Sequence, residues 1–374
     1  MIMASIADFD WNAHRTTWNR WWNHDLERPI VIASDGGSPS DMPSWWGCQL
    51  GGVPASVSPA EIAATAERSL ATQVLHGDAF PTYWVNFGPG VLSAFLGGDL
   101  QADLRTTWFT PGLHTGQAIA DVRIPDRLSG PWWDYVQAVT RACADRFGRR
   151  AVIGTTDIGG NLDVLAALRD ANQLLLDCMD DPAEVDRLCR DITRMWWACY
   201  QEQLAITMPL GLGSSPWAAI WSEQPCYMLQ SDFSYMISPK QFARWVVPDL
   251  TDLCARIPHG FYHLDGKGEL PHLDHLLAVP NLQGVQWIPG DGNPASGEPL
   301  WWPVLSRIRA AGKLVQLYGP ASAMLQLAAG LPTDGYVLAT WSDRPGMSNA
   351  EAVAAIQAEA ERTRRRLHTQ VAVA

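Results

Sequence analysis

Short runs of consecutive apolar residues recur along the chain, and each run ends in polar residues or glycine. Strands buried on both faces have such continuous runs, whereas half-exposed strands alternate apolar and polar residues. We therefore predict strands at residues 30–33, 82–85, 151–154, 260–263, 284–287, 313–316 and 335–338. An eighth strand is predicted around residues 217–221.

Helix starts are marked between these runs. Residues 58–61 (SPAE) and 238–241 (SPKQ) carry a capping-box pattern with proline in the first turn. Related capping chemistry predicts helix starts at Asp181 and Ser348. Near the N-terminus, residues 11–22 place four tryptophans at roughly helical spacing, which predicts a further helix.

The alternation of strands and helices indicates a parallel sheet covered on both faces. Eight strands suit a closed barrel better than an open doubly wound sheet. No G-x-G-x-x-G follows an early strand, so the dinucleotide-binding alternative loses its main support. No linker divides the chain. The predicted fold is α/β, a single (β/α)8 TIM-type barrel over residues 1–374 with an N-terminal helical extension.

Charge and cysteine content narrow the function and the compartment. The formal net charge is −12, which argues against a nucleic-acid partner because phosphate binding needs clustered Lys and Arg. No window approaches eighteen uninterrupted apolar residues, so no membrane span is predicted. The seven cysteines lack C-x-x-C spacing and have apolar neighbours, which predicts buried free thiols in a reducing compartment. Without a signal-peptide pattern, we expect a cytoplasmic protein.

Active-site groups of such barrels come from the C-terminal ends of the strands. His263 and Asp265 follow one predicted strand and are two residues apart, so their side chains point the same way. They are candidates to share a metal ion or to form an acid/base pair in which Asp265 orients the imidazole. The alternative is a histidine bonded to a neighbouring strand, with Asp265 capping the next turn.

Two further aspartates are candidate catalytic acids. Asp157 ends another predicted strand and is followed by two glycines, although an aspartate here also suits a helix cap. Asp232 lies a few residues before the helix predicted at Ser238, and a turn-forming role is the alternative.

The predicted barrel mouth also carries candidate substrate-binding residues. Tryptophans near strand ends suit an aromatic pocket for a flat or sugar-like ligand, and core packing is the alternative for each. Polar groups that end apolar runs complete the set. The candidates are Asn86, Trp217, Trp221, Gln286, Trp287 and Trp341.

The order of five short motifs resembles the uroporphyrinogen decarboxylase-like superfamily of barrels, which also holds corrinoid- and coenzyme M-dependent methyltransferases. The motifs are GDAFP at residues 77–81, NFGPG at 86–90, LLLD at 174–177, ISPKQF at 237–242 and YHLDG at 262–266. The match runs from about Trp18, in the predicted N-terminal helix, to the last predicted helix. It implies the barrel fold and an enzyme of this group.

This chain departs from the pattern of the family at residues that carry the family's chemistry. The zinc methyltransferases of this group carry His-x-Cys-Gly at the strand matched by residues 263–266, where this chain has Asp265. Their second cysteine matches residues 339–342, which contain no cysteine. A nitrogen and oxygen donor pair such as His263 and Asp265 suits zinc or a harder divalent metal. The arginine-rich N-terminal motif of the true decarboxylases is not found around residues 28–31.

Three functions follow as hypotheses. The first is a methyltransferase or demethylase that acts on a small methylated substrate or a corrinoid partner. The second is a cofactor-free decarboxylase or lyase of an aromatic or pyrrolic acid, in which Asp157, Asp232 or Asp265 stabilises a protonated intermediate. The third is a non-catalytic protein that binds a sugar or an aromatic ligand.

Overall fold

The computed structural model describes residues 6–38, 40–44, 46–47, 49–54, 56–103, 106–110 and 116–373. Its strands are β1 (Ile30–Asp35), β2 (Val74–Gly77), β3 (Thr82–Trp84), β4 (Asp99–Ala102), β5 (Thr107–Thr110), β6 (Val152–Gly154), β7 (Cys226–Leu229), β8 (His259–Asp265), β9 (Gly284–Ile288), β10 (Leu314–Pro320) and β11 (Tyr336–Trp341). Its helices are α1 (Trp11–Trp22), α2 (Pro59–Thr72), α3 (Leu92–Phe95), α4 (Pro131–Phe147), α5 (Asn161–Arg169), α6 (Ala171–Asp180), α7 (Pro182–Thr207), α8 (Pro239–Arg256), α9 (Leu273–Leu277), α10 (Trp302–Ala310), α11 (Ala321–Gly330) and α12 (Asn349–Val373).

The protein is a mixed α/β structure around a mainly parallel sheet. Seven strands pair in the order β2-β1-β11-β10-β9-β8-β7, and every pair is parallel except β1 with β2. A separate parallel pair consists of β3 and β6, and β4 with β5 is an antiparallel hairpin. Predicted strands and helices therefore alternate as expected, and the parallel sheet is confirmed.

Closure of the sheet into an eight-stranded barrel is not confirmed by the strand pairing of the described residues. The free edge of β1 is taken by the antiparallel β2. One edge of β6 is occupied by the irregular segment 214–222. The backbone N–H of Thr155, directly after β6, donates to the Ser215 carbonyl of that segment at 3.0 Å. That segment was predicted as the eighth strand, and the prediction is wrong: it makes one isolated bridge, between Ser214 and Ser222, and the parallel strand is β7 instead.

Two apolar clusters pack against the two faces of the strands. The larger one lies between the strands and the surrounding helices. In the smaller one, the strand residues Ile30, Phe261 and Leu314 pack with Trp18 and Trp21 of α1. These residues lie at or near the N-terminal ends of their strands, so α1 covers that end and leaves the C-terminal ends for a site.

The predicted helix starts are confirmed. Ser58 accepts from the backbone of Glu61 at 3.2 Å, and Ser238 forms a full capping box. The helices predicted from Asp181 and Ser348 begin at the following residues, although the Asp181 side chain makes no capping bond. Helix α1 is capped by Asp10, whose carboxylate accepts two backbone N–H bonds.

Six of the seven cysteines are buried free thiols, as predicted, and Cys48 lies outside the described residues. Burial raises their pKa values, to about 12 for Cys143, which makes these thiols unreactive. Within the described ranges, no helix has both the length and the apolar character needed to cross a membrane.

Candidate active site

Three of the predicted catalytic residues lie together at the C-terminal end of the sheet. The donor atoms of Asp232, His263 and Asp265 are all within 4.8 Å of one another. His263 Nε2 lies 3.9 Å from Asp265 Oδ2. Asp232 approaches from the short 3-10 helix Asp232–Met236, which follows β7. One nitrogen and two carboxylates therefore face a common point.

Strand β8 places its two donors by simple alternation. Phe261, His263 and Asp265 lie on the face of the sheet that encloses the smaller cluster, with Phe261 at the bottom and Asp265 at the mouth. Gly266 then adopts a φ of +79°, which turns the chain at the mouth. Two residues later, a Cβ on Gly268 would lie 2.3 Å from the ring of Tyr235, so a larger residue there would require this exposed ring to move.

A row of polar side chains fixes the protonation of His263. Residues 263, 286 and 316 are register partners on β8, β9 and β10. The Ala218 carbonyl can only accept, so Gln316 Nε2 donates to it. Gln316 Oε1 then accepts from Gln286 Nε2 at 2.9 Å, which leaves Gln286 Oε1 to accept from His263 Nδ1. Nδ1 must therefore carry the proton, and Nε2 keeps a free lone pair that faces the two carboxylates.

The surroundings keep His263 neutral. Burial lowers the pKa of the imidazole, and this outweighs the opposing effects of Gln286 and Asp265. The indole ring of Trp217 packs edge-on against the imidazole, with ring centroids 5.0 Å apart. A neutral, oriented imidazole is the form that binds a metal or accepts a proton.

Sequence reasoning missed two carboxyl groups of this region, Asp163 and Glu269. Asp163 accepts from the backbone of Gly160 at 3.2 Å and of Phe233 at 2.8 Å, so it ties the Asp232 loop to the start of α5. Its position three residues into a helix was the available signal. Glu269 lies in a 3-10 helix after β8 and is fully buried, which no local pattern indicates.

The carboxyl groups raise one another's pKa values. Burial, with Asp232 nearby, raises the pKa of both Asp157 and Asp163 to about 7. Desolvation and Asp265 raise the pKa of Asp232 to about 6. Burial and three neighbouring aspartates raise the pKa of Glu269 to about 10, so Glu269 is protonated at neutral pH.

Asp157 is buried beside this group and also shapes the local turn. Its Oδ1 accepts from the backbone of Gly159 at 2.9 Å, whereas the helix cap considered as its alternative is formed at Gly160 with Asp163 instead. Asn86 makes a similar turn, with Oδ1 accepting from the Gly88 backbone at 2.9 Å. Gln286 is buried and bonded to His263, so it orients that ring rather than lining open space.

The four candidate tryptophans divide into two pairs. Trp217 lies on His263, and Trp341 ends β11 at the mouth with 40% of its surface exposed. Trp287 is fully buried on the opposite face of β9, where its ring packs against Trp301. Trp221 is fully buried in the smaller cluster, and its Nε1 donates to the Leu212 carbonyl at 2.7 Å. A substrate contact does not fit Trp221 or Trp287, because both are core residues.

A recess of about 490 Å³ opens beside Asp265. Tyr318 and Trp341 line it from the ends of β10 and β11, with ring centroids 5.1 Å apart and ring planes at 48°. Asp291 lines it from the loop after β9. The volume is in the range of small-molecule sites.

No protein-family model and no curated protein sequence matches the chain. Its structure is similar to that of a methyltransferase from Methanosarcina mazei, with a TM-score of 0.60. The similarity covers 93% of this chain and 98% of that chain, at 12% sequence identity. The two proteins therefore share a fold over nearly their whole lengths, and this likeness extends to the fold alone.

Proposed function

We propose that the protein is a metal-dependent enzyme of the methyltransferase or demethylase type, built as a uroporphyrinogen decarboxylase-like barrel. It acts on a small methylated substrate or a methylated corrinoid partner. The observation that carries the proposal is the convergence of Asp232, His263 and Asp265 within 4.8 Å. The fold shared with a methyltransferase supports the reaction class.

The donor set fits a divalent ion. The hydrogen-bonded glutamines leave His263 Nε2 unprotonated, and the carboxylates of Asp232 and Asp265 supply two oxygens. Nitrogen and oxygen donors suit zinc, manganese or cobalt, and two carboxylates balance the charge of a divalent ion. Such an ion supplies Lewis acidity, which lowers the pKa of a bound thiol, hydroxyl or water.

The chain's own residues prepare this centre. Gln286 and Gln316 hold the His263 ring in one tautomer. Asp163 holds the loop that carries Asp232. The neighbouring recess then offers space for a substrate beside Asp265.

Metal analysis tests the proposal directly. Chelator-treated protein titrated with Zn²⁺, Mn²⁺ and Co²⁺ should bind one ion per chain. We expect His263→Ala and Asp265→Asn each to weaken binding about a hundredfold, because loss of a ligand costs at least as much as loss of an outer partner. His275→Ala, at an exposed histidine, is the matched control. Equal affinity in all four proteins would overturn the metal centre.

The glutamine row provides a second test. In Gln286→Leu, His263 keeps its nitrogen but loses the acceptor for Nδ1–H, so we expect metal affinity to fall about 10- to 100-fold. Gln283→Leu, at the residue directly before the same strand, is the control and should bind metal normally. Unchanged affinity in Gln286→Leu would show that the row does not orient the ligand.

One observation favours a second candidate function, a cofactor-free decarboxylase or lyase. The raised pKa of Asp157, about 7, gives a buried acid that can donate a proton near neutral pH. The two candidates separate on one measurement. Release of carbon dioxide from an aromatic acid, unaffected by chelation and lost in Asp157→Asn, would favour the lyase.

A further inference from the structure

We infer that the recess beside Asp265 recognises a small organic cation, and that the substrate is a methylated ammonium compound. The inference names the substrate class of the proposed enzyme and so rests on the proposed function. Two features carry it: a pair of exposed aromatic rings and an excess of carboxylates. Both line the same cavity of about 490 Å³.

The aromatic pair stands open to the cavity. Tyr318 is 58% exposed and Trp341 is 40% exposed, although large aromatic side chains are usually buried. Their ring planes meet at 48° with centroids 5.1 Å apart, so the two rings contact each other and form one continuous aromatic surface beside the cavity. Faces of Tyr and Trp rings attract cations, and quaternary ammonium groups are the ligands that aromatic walls of this kind recognise.

The strand register places these rings above the candidate metal centre. Leu314, Gln316 and Tyr318 alternate along β10 on one face, from the buried cluster through the glutamine row to the mouth. Trp341 pairs in register with Pro320 at the end of the same strand. A ligand that packs against these rings therefore lies at the mouth, over the layer that holds His263.

The charge of the cavity selects the sign of its ligand. Asp265 and Asp291 line it, and none of the described lining residues is lysine or arginine. An anionic substrate would meet carboxylates without a positive side chain in the described lining, which is unfavourable in a partly desolvated site. If a divalent ion is balanced by Asp232 and Asp265, Asp291 still favours a cation.

Histidine adds no opposing charge, because none of the described lining residues is a histidine. His263 lies in the layer below the cavity, where its Nδ1–H donates to Gln286. The rings and Asp291 thus bind a methylated ammonium group without a competing positive side chain, and a metal centre with balanced charge does not repel it.

Calorimetric titration with choline tests the inference, with 3,3-dimethylbutan-1-ol as the uncharged compound of the same shape. We expect choline to bind at least tenfold more tightly than the alcohol. Trp341→Ala, Tyr318→Ala and Asp291→Asn should each weaken choline binding about fivefold. Trp341→Phe, which keeps an aromatic face, should weaken it less. Trp108→Ala, at an exposed tryptophan on β5, is the matched control.

Two results would overturn the inference: equal affinity for choline and the alcohol, or unchanged choline binding in folded Trp341→Ala protein. The same titration in His263→Ala separates this inference from the metal centre. Choline binding that persists there supports the recess whatever the metal analysis gives. A protein that binds metal normally but does not distinguish choline from the alcohol would retain the proposed function and lose this substrate class.

Discussion

Glu269→Gln protein is expected to be more stable than the wild type at pH 8, by up to about 4 kcal/mol, and nearly equal to it at pH 5. Glu269 has no exposed surface, and its Oε1 has no hydrogen-bond partner among the described residues. Its Oε2 lies 3.4 Å from the Tyr262 hydroxyl. Burial raises its pKa from 4.5 to about 10, so the folded protein holds a proton that the unfolded chain releases.

The direction follows from proton binding. Between pH 4.5 and 10 the folded state binds more protons at Glu269 than the unfolded state does, so the free energy of unfolding falls as pH rises. The slope is about 1.4 kcal/mol per pH unit, which gives about 4 kcal/mol over three units. Glutamine keeps the shape and an acceptor oxygen without a proton to lose.

Urea unfolding of chelator-treated protein at pH 5 and pH 8 measures this difference. The variant should still lose stability as pH rises, but with a smaller slope than the wild type. The remaining slope comes from three aspartates whose pKa values burial raises to about 7, namely Asp157, Asp163 and Asp249. Glu202→Gln, at an exposed glutamate of α7, is the control and should follow the wild type at both pH values. Identical pH profiles for Glu269→Gln and wild type would show that Glu269 is ionised in the folded protein.

Arg169→Met is expected to lower the free energy of unfolding by about 3–5 kcal/mol. Arg169 is 2% exposed and makes a two-point contact with Asp177, at 2.5 Å and 3.1 Å. It also donates to the Gln117 carbonyl at 2.7 Å. Methionine fills much of the volume but leaves the Asp177 carboxylate buried without its positive partner.

Two further variants check the physical cause. Adding Asp177→Leu to Arg169→Met removes the uncompensated charge and should recover part of the lost stability. Arg307→Met breaks an exposed pair with Asp274 and should cost less than about 1 kcal/mol. If Arg169→Met and Arg307→Met were equally stable in urea, the buried pair would contribute no more than a surface one.

The tryptophans show where sequence reasoning stops. Trp217 and Trp221 lie four residues apart in one irregular segment, and both were predicted to contact substrate. Between them Ala219 adopts a positive φ of 52°, which redirects the chain. Trp217 then reaches His263 while Trp221 packs against His14 in the core. No periodicity exists in such a segment, so no pattern assigns its side chains to a face.

The candidate catalytic residues differ in the same way. His263 and Asp265 were predicted as a pair because two residues of a strand separated by one always share a face. Asp232 was a separate candidate, and its approach to them depends on the loop held by Asp163. The burial of Glu269 depends on packing around a 3-10 helix, which leaves no periodic trace in the sequence.

The sequence by itself determined the alternation of strands and helices, the helix starts, and the pairing of His263 with Asp265 on one face. These features depend on interactions within a few residues, such as capping bonds and strand alternation. The tertiary structure alone decided the strand that covers β1 and the tautomer of His263. The tautomer depends on Gln316, which lies 30 residues from Gln286 and 98 from Ala218 along the chain. Contacts over such separations depend on how the strands pair, which local patterns do not encode.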